Sequence, residues 1–377
     1  MTVSASTPLA PTLGVEEEFL LVDAHTGLPA PKGHDVIRHS AEVSGVELDR
    51  ELALSQVEIR TGICDNLAEA QSQLLDLRKV AAAAARAVGC ELLAVGVPPV
   101  GGPGIEIARD GRYGQVAEAY RQLAAEQSIC GCHVHVAVPD QETAVGVCNH
   151  LRPWLPVLGL LTANSPITAG RDTGYASWRS VVWSRWPMSG PPPYFESAAH
   201  HRDIVGLLLE SGAASDPRTV YWDARPSPHL PTVEVRVSDV AGTVAEAILL
   251  AALVRGLVMT AMDDLSQGLT APRVPVETLR AATWRASRDG ITGHALDTLT
   301  GRLVPARSLV DRLVERVSGA LAQAGDLDTV AGLLAELDRS GTGAARQRAA
   351  LARNGLLRDV VDQCVADGAT RQVQHMT

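Results

Sequence analysis

The amino-acid sequence predicts an α+β fold, a mainly antiparallel sheet with helices on its outer face and a helical C-terminal region. Strand-like apolar runs and helical patterns mix along the first two-thirds of the chain without the regular alternation of a parallel α/β protein. Four of the strand-like runs place polar, metal-capable side chains at every second position: Glu16 and Glu18, Gln56 and Glu58, His133 and His135, Glu234 and Arg236. A strand sends alternate side chains to opposite faces, so each pair shares one side while its valine and isoleucine neighbours take the other. Central strands with one polar face predict an open, solvent-filled concavity, and that face is the candidate active site.

Residues 14–23 read as a strand, followed by a Gly/Pro loop and a second strand over 54–61. An alanine- and leucine-rich helix over 66–88 keeps Glu69, Gln73, Asp76 and Arg78 for its polar side. A strand over 91–97 stops at Pro98-Pro99, residues 113–126 read as a helix, and Val134, Val136 and Val138 mark the strand that carries His133 and His135. Residues 142–161 form a helix kinked by Pro153 and Pro156. Residues 171–195 are rich in arginine, tryptophan and proline, and Trp178, Trp183 and Trp186 make them an ordered loop over a site; a surface loop anchored by aromatics is the plainer alternative. A helix over 200–211 and strands over 220–223 and 232–238 follow. Beyond Gly242 the pattern is helical nearly to the end, with breaks at 271–275 and 289–293. Val100-Gly101-Gly102-Pro103-Gly104 reads as a turn.

Composition narrows the function classes. At 377 residues, 46% hydrophobic and 20% charged, the chain can bury a large core and reads as soluble and globular. A net charge of -10 with no basic run provides no electrostatic footprint for nucleic acid or for an anionic membrane. The N-terminus lacks the layout of a secretory signal, and residues 244–262 are interrupted by Glu246 and Arg255, which fits a buried helix better than a membrane span. Six scattered cysteines in a large chain read as reduced thiols in a cytoplasm. Lys32 and Lys79 are the only lysines and no P-loop is present, so a bound phosphate must be held by arginine, metal ions or backbone.

Glu16-Glu17-Glu18 sits between Val15 and Phe19-Leu20-Leu21-Val22, where carboxylates are expensive unless paired or bound to a cation. Glu16 and Glu18 share a face and Glu17 points away; a solvated surface strand is the alternative. Val233-Glu234-Val235-Arg236 follows the same logic, with an in-sheet ion pair as its plain alternative. Glu58 alone would pass for a solvated residue and gains weight from the others. Cys130-Gly131-Cys132-His133-Val134-His135 invites zinc, but the pleat turns the two cysteines away from the two histidines, so the histidines belong with the glutamates and the thiols with the apolar layer. Acids with one or two imidazoles suit Mg²⁺ or Mn²⁺ and point to metal-assisted phosphoryl chemistry or metal-dependent hydrolysis.

The blocks Gly14-Val15-Glu16-Glu17-Glu18-Phe19, Ser55-Gln56-Val57-Glu58-Ile59, Gly131-Cys132-His133-Val134-His135-Val136, Asn164-Ser165-Pro166 to Arg179-Ser180, and Val233-Glu234-Val235-Arg236 occur in that order. In this the chain resembles the type 2 glutamate-cysteine ligase family, whose bacterial members are also called carboxylate-amine ligases. The resemblance implies a bowl-shaped antiparallel sheet of the glutamine synthetase type, with ATP and Mg²⁺ (or Mn²⁺) in the concavity. It implies an amide (γ-glutamyl-cysteine type) bond made through an acyl phosphate, with glutamate-cysteine activity weak or incidental. The partners would be small carboxylate and amine substrates, and the assembly a homodimer. It places Glu16, Glu18, Glu58, His133 and Glu234 as metal ligands, with Glu51 added by its spacing before Glu58. Arg236 would contact phosphate, and Arg179 the nucleotide or acyl phosphate. Residues 13–367 would form one catalytic domain, a sheet-forming core over 13–262 and a helical part over 263–367, behind a frayed tail of residues 1–12. A metal-dependent hydrolase on the same acids and a catalytically silent nucleotide-binding relative are the alternatives.

Overall fold

Residues 10–102 and 105–369 are described by a computed structural model; residues 1–9 of the expected tail, Pro103 and Gly104 of the expected turn, and the residues from 370 onward lie outside the described part. In chain order the elements are β1 (Leu13–Asp23), α1 (Gly33–Ser44), β2 (Asp49–Arg50), β3 (Gln56–Arg60), α2 (Leu67–Ala87), β4 (Cys90–Leu93), α3 (Gly111–Tyr120), α4 (Gln122–Ala125), β5 (Gly131–Ala137), α5 (Gln141–Leu151), α6 (Leu155–Leu161), β6 (Ile167–Thr168), β7 (Arg171–Asp172), α7 (Trp178–Trp183), α8 (Ala198–Glu210), β8 (Ala224–Pro226), β9 (Thr232–Asp239) and α9 (Val244–Ser266). The remainder is α10 (Val276–Asp289), a hairpin of β10 (His294–Leu296) and β11 (Leu303–Pro305), then α11 (Ala306–Ala324), α12 (Leu327–Ser340), α13 (Gly343–Asn354) and α14 (Leu357–Ala369).

The main sheet runs β2-β3-β1-β5-β9-β8, with β4 paired to the C-terminal end of β1, and its pairings are antiparallel. Over the first seven residues of β1 the alternation is strict: Leu13, Val15, Glu17 and Phe19 are buried while Gly14, Glu16 and Glu18 face the other side. The apolar face is covered by α2, α5 and α9. Helix α2 starts where Asn66 accepts the Glu69 amide, and it delivers Arg78 to the inward-pointing Glu17. Helix α9 opens with a capping box between Thr243 and Glu246. It is long and apolar enough to cross a membrane, yet it is enclosed by the protein, 89% buried over its most apolar window. Its charged residues are met from the C-terminal helical layer: Arg255 by Asp326, and Glu246 by Arg346 at 2.8 Å.

Several expected boundaries differ. The segment read as a Gly/Pro loop after β1 contains α1, an amphipathic helix packed on α2 and β3, and the short strand β2. The helix expected over 113–126 is split at Arg121, whose φ of 50° breaks the hydrogen-bond ladder between α3 and α4. The strand expected over 220–223 lies one step later, at β8. The 289–293 break opens into the β10-β11 hairpin. The kinked helix around Pro153 and Pro156 is found as α5, a single 3₁₀ turn and α6. All six cysteines are buried.

Candidate active site

Antiparallel register assembles the polar face. Glu16 stands opposite His133 across β1 and β5, Glu18 opposite Glu58 across β1 and β3, and His135 opposite Glu234 across β5 and β9. Cross-strand partners on one face lie within side-chain reach, so these three sequence-distant pairs become neighbours. A bulge between Cys132 and Val134 re-aims β5 at this point. A cavity of about 370 Å³ opens over this face, and Glu16, Glu18, Glu51, Glu58, His133, Glu234, Arg179 and Arg236 all line it.

The acids separate into two groups. Glu18, Glu51 and Glu58 bring ligand oxygens within 4.8 Å of one another, as do Glu16, His133 and Glu234 with an imidazole nitrogen included. In the first group burial, and then the charge of Glu18, pushes the Glu51 carboxyl up to about 7. Burial followed by the charges of Glu51 and Glu16 pushes Glu58 well above the usual carboxylate range. Crowded carboxylates with too few cations beside them are a donor set that a hard divalent ion would relieve, and Mg²⁺ or Mn²⁺ fits these oxygens. The Glu18 carboxylate also accepts the Gly131 amide at 2.6 Å.

The second group is already compensated. Burial works against charge on Glu234, but Arg225 and then Arg236 outweigh it and hold the carboxyl well below its ordinary range. Arg225 donates to Glu234 at 2.8 Å from the adjoining strand β8, and Arg236 donates to its other oxygen. Burial likewise opposes ionisation of Glu16, and hydrogen bonds with His133 and His135 overcome it. His133 is held below its ordinary pKa by burial and then by Arg236. For His135 burial is outweighed by Glu16 and Glu234, so its pKa rises. His135 Nδ1 meets the Thr232 hydroxyl at 3.0 Å, while its Nε2 lies 3.5 Å from Glu16 and the Nε2 of His133 lies 3.8 Å from Glu18, so each ring turns that nitrogen toward the carboxylates of the cavity.

Arg179 comes from the segment expected to lie over the site. Ser177 caps α7. Asp239, at the end of β9, accepts from Ser165 at 2.6 Å, from Ser177 at 2.7 Å and from the Asn164 amide at 2.8 Å. This clamp places the Arg179 guanidinium against Gly131, where an added Cβ would sit 2.5 Å from Nη2. Arg225 went unnoticed in the sequence because β8 was placed one step early; the arginine facing Glu234 emerges from the β8-β9 register alone. Trp183 and Trp186 reach the cavity from the segment expected over the site, whereas Tyr113, Tyr221, Arg112 and Arg218 line it without any motif to mark them.

Comparison with known proteins agrees with this architecture. The model of glutamate-cysteine ligase family 2 (GCS2) matches residues 12–374. A protein of Nocardia farcinica (strain IFM 10152) named "Putative glutamate--cysteine ligase 2-1" is 52% identical over 338 residues, covering 90% of this chain and 88% of its own. "Putative glutamate--cysteine ligase 2-2" of Mycobacterium sp. (strain KMS) is 50% identical over 353 residues, covering 93% and 97%. The crystal structure of glutamate-cysteine ligase from Francisella tularensis in complex with AMP superposes with a TM-score of 0.72 at 15% identity, over 96% of this chain and 89% of that one, which shows a shared fold. With the family model spanning nearly the whole sequence and relatives at half identity over nine-tenths of it, this chain belongs to glutamate-cysteine ligase family 2, a family of ligases that form amide bonds.

Proposed function

We propose that the protein joins a small carboxylic acid to an amine at the expense of ATP, the acid being activated as an acyl phosphate before the amine attacks. The observation that carries this is that one cavity is lined both by a carboxylate cluster, Glu18, Glu51 and Glu58, and by two guanidiniums, Arg179 and Arg236. The AMP in the related ligase of known structure supports a nucleotide in the same concavity.

Glu18, Glu51 and Glu58 would hold Mg²⁺ or Mn²⁺; Glu16, His133 and Glu234 are the second candidate set. Such an ion supplies charge neutralisation on phosphate oxygens and orients them. Arg236 is kept cationic by Glu234 and stands beside His133, in place to stabilise charge on the transferred phosphoryl group. Arg179, fixed by the Asp239 clamp, offers a second set of N–H donors. We further propose that residues 13–367 act as one catalytic unit in the cytoplasm, as a homodimer.

The test is ADP release from ATP and Mg²⁺ with mass spectrometry of products, across a panel of amino acids offered as carboxylate donors and amines. Amide formed in step with ADP is the expected result. Product without ATP would replace the ligase by a hydrolase, and nucleotide binding without any product would leave a silent binder.

A further inference from the structure

We propose that the aromatic wall of the cavity, Tyr113, Trp183 and Tyr221 backed by Trp186, is the subsite for the amine co-substrate, and that this amine carries an aromatic ring in place of a thiol. The inference rests on the ligase reading and goes beyond it by naming the amine's chemical class.

The wall is a built surface. Trp183 and Tyr221 pack with ring centroids 4.7 Å apart, Trp186 meets Tyr221 edge-on at 5.5 Å, and Tyr120 supports Trp186 from behind at 4.7 Å. The Trp186 indole donates to Gln127 at 2.9 Å, so the layer behind the wall is fixed. In front of it Tyr113, Trp183 and Tyr221 stay half-buried, with edges and faces turned to the cavity beside buried Leu52 and Val116. Aromatic surface left facing the cavity is area that a ligand ring would cover favourably, and preferred ring pairings add to that.

Its position assigns it to the amine and not to the nucleotide base. Glu51 and Leu52 are adjacent in sequence, one in the carboxylate cluster and the other in the wall, and the Tyr113 hydroxyl donates to the Arg50 carbonyl at 2.7 Å. The rings therefore stand at the end of the cavity where phosphoryl transfer is proposed. A base is held away from the transferred phosphoryl group by a ribose and the other phosphates. A cysteine side chain would reach this wall with one small sulfur and leave most of the ring surface uncovered.

The experiment uses the full chain. Fluorescence titration with 2-phenylethylamine, phenylalanine and cysteine reads binding directly; ADP release at varied amine and varied ATP reads KM for each. We expect the aryl amines to bind at least about tenfold more tightly than cysteine, a ratio reachable by one apolar pocket. Trp183→Ala should raise the amine KM at least about tenfold and leave the ATP KM within about twofold, and Trp183→Phe should restore most of the loss, which separates ring recognition from misfolding. A rise in the ATP KM in place of the amine KM, or a preference for cysteine, would overturn the assignment. Aryl-amine binding in a protein that makes no amide with any pair would refute the ligase reading alone; amide formation insensitive to Trp183→Ala would refute the subsite alone.

Discussion

Replacing Glu17 by leucine should destabilise the protein far more than changing either neighbouring glutamate. Glu17 has no exposed surface, and Arg78 is 1% exposed. The guanidinium donates to both carboxylate oxygens, at 2.8 and 2.5 Å, and to the Ala241 carbonyl at 2.9 Å, with the Phe19 ring 5.2 Å away. Removing the carboxylate leaves a buried cation uncompensated, a loss of about 3–5 kcal/mol, against a total stability of about 5–15 kcal/mol. With a urea slope of about 3 kcal/mol/M for a chain of this size, the midpoint should fall by about 1 M or more at unchanged slope. The double change Glu17→Leu with Arg78→Met removes both charges and should recover most of the loss, short by about 1 kcal/mol for the Ala241 carbonyl left without its donor. Glu16, whose side chain is 21% exposed on the opposite face, provides the control: Glu16→Gln should move the midpoint little. A cost below about 1 kcal/mol for Glu17→Leu, or a double variant as unstable as the single, would refute the assignment of this pair to the core face.

Three other outcomes are expected. Glu16→Gln should abolish amide formation in a folded protein, whereas Glu234→Gln should also lower the melting temperature, because Arg225 and Arg236 would lose a shared buried carboxylate; equal stability of the two variants would count against that pairing. Gly131→Ala should cut kcat/KM by at least about tenfold with the melting temperature shifted by only a few degrees, since the new methyl displaces the flexible end of Arg179 and leaves backbone in place; steady-state kinetics and a thermal melt check both. His201 packs 5.0 Å from Phe195 and 6.0 Å from Trp222, and burial, followed by the charge of Arg202, holds its pKa down from 6.5 to about 4. Below pH 6.5 the unfolded chain takes up a proton that the folded chain refuses, so this contribution is fully present above 6.5 and is lost as pH falls toward about 4. His201→Phe should flatten the stability profile in that window by up to one proton, as measured by urea titrations at several pH values; an unchanged slope would mean the ring is solvated.

The sequence by itself determined which side of each strand carries chemistry. Alternation along 14–23, 54–61, 131–137 and 232–238 put Glu16, Glu18, Glu58, His133, His135, Glu234 and Arg236 on one face, because the pleat has a period of two whatever the strand order. It also separated Glu17 and Cys132 from them, and both lie buried away from the cavity. The arginine- and tryptophan-rich stretch was legible as ordered from composition, and it delivers Arg179 and Trp183 to the cavity. Helix α9 was readable as buried from its interruptions by Glu246 and Arg255, whose partners Arg346 and Asp326 lie far along the chain.

Tertiary structure alone decided who meets whom. Register across β8 and β9 gave Glu234 a second arginine, Arg225, and thereby divided the acids into a neutralised set and a crowded one, a distinction that depends on distances no local pattern encodes. The aromatic wall is likewise non-local: Tyr113, Trp183 and Tyr221 come from three separate segments and share no spacing, so only packing brings their rings together. Of the elements the sequence obscured, the β10-β11 hairpin is made of two three-residue strands that take their stability from neighbours more than from periodicity, whereas α1 is amphipathic in its own right and is obscured only by the Gly/Pro segment that leads into it.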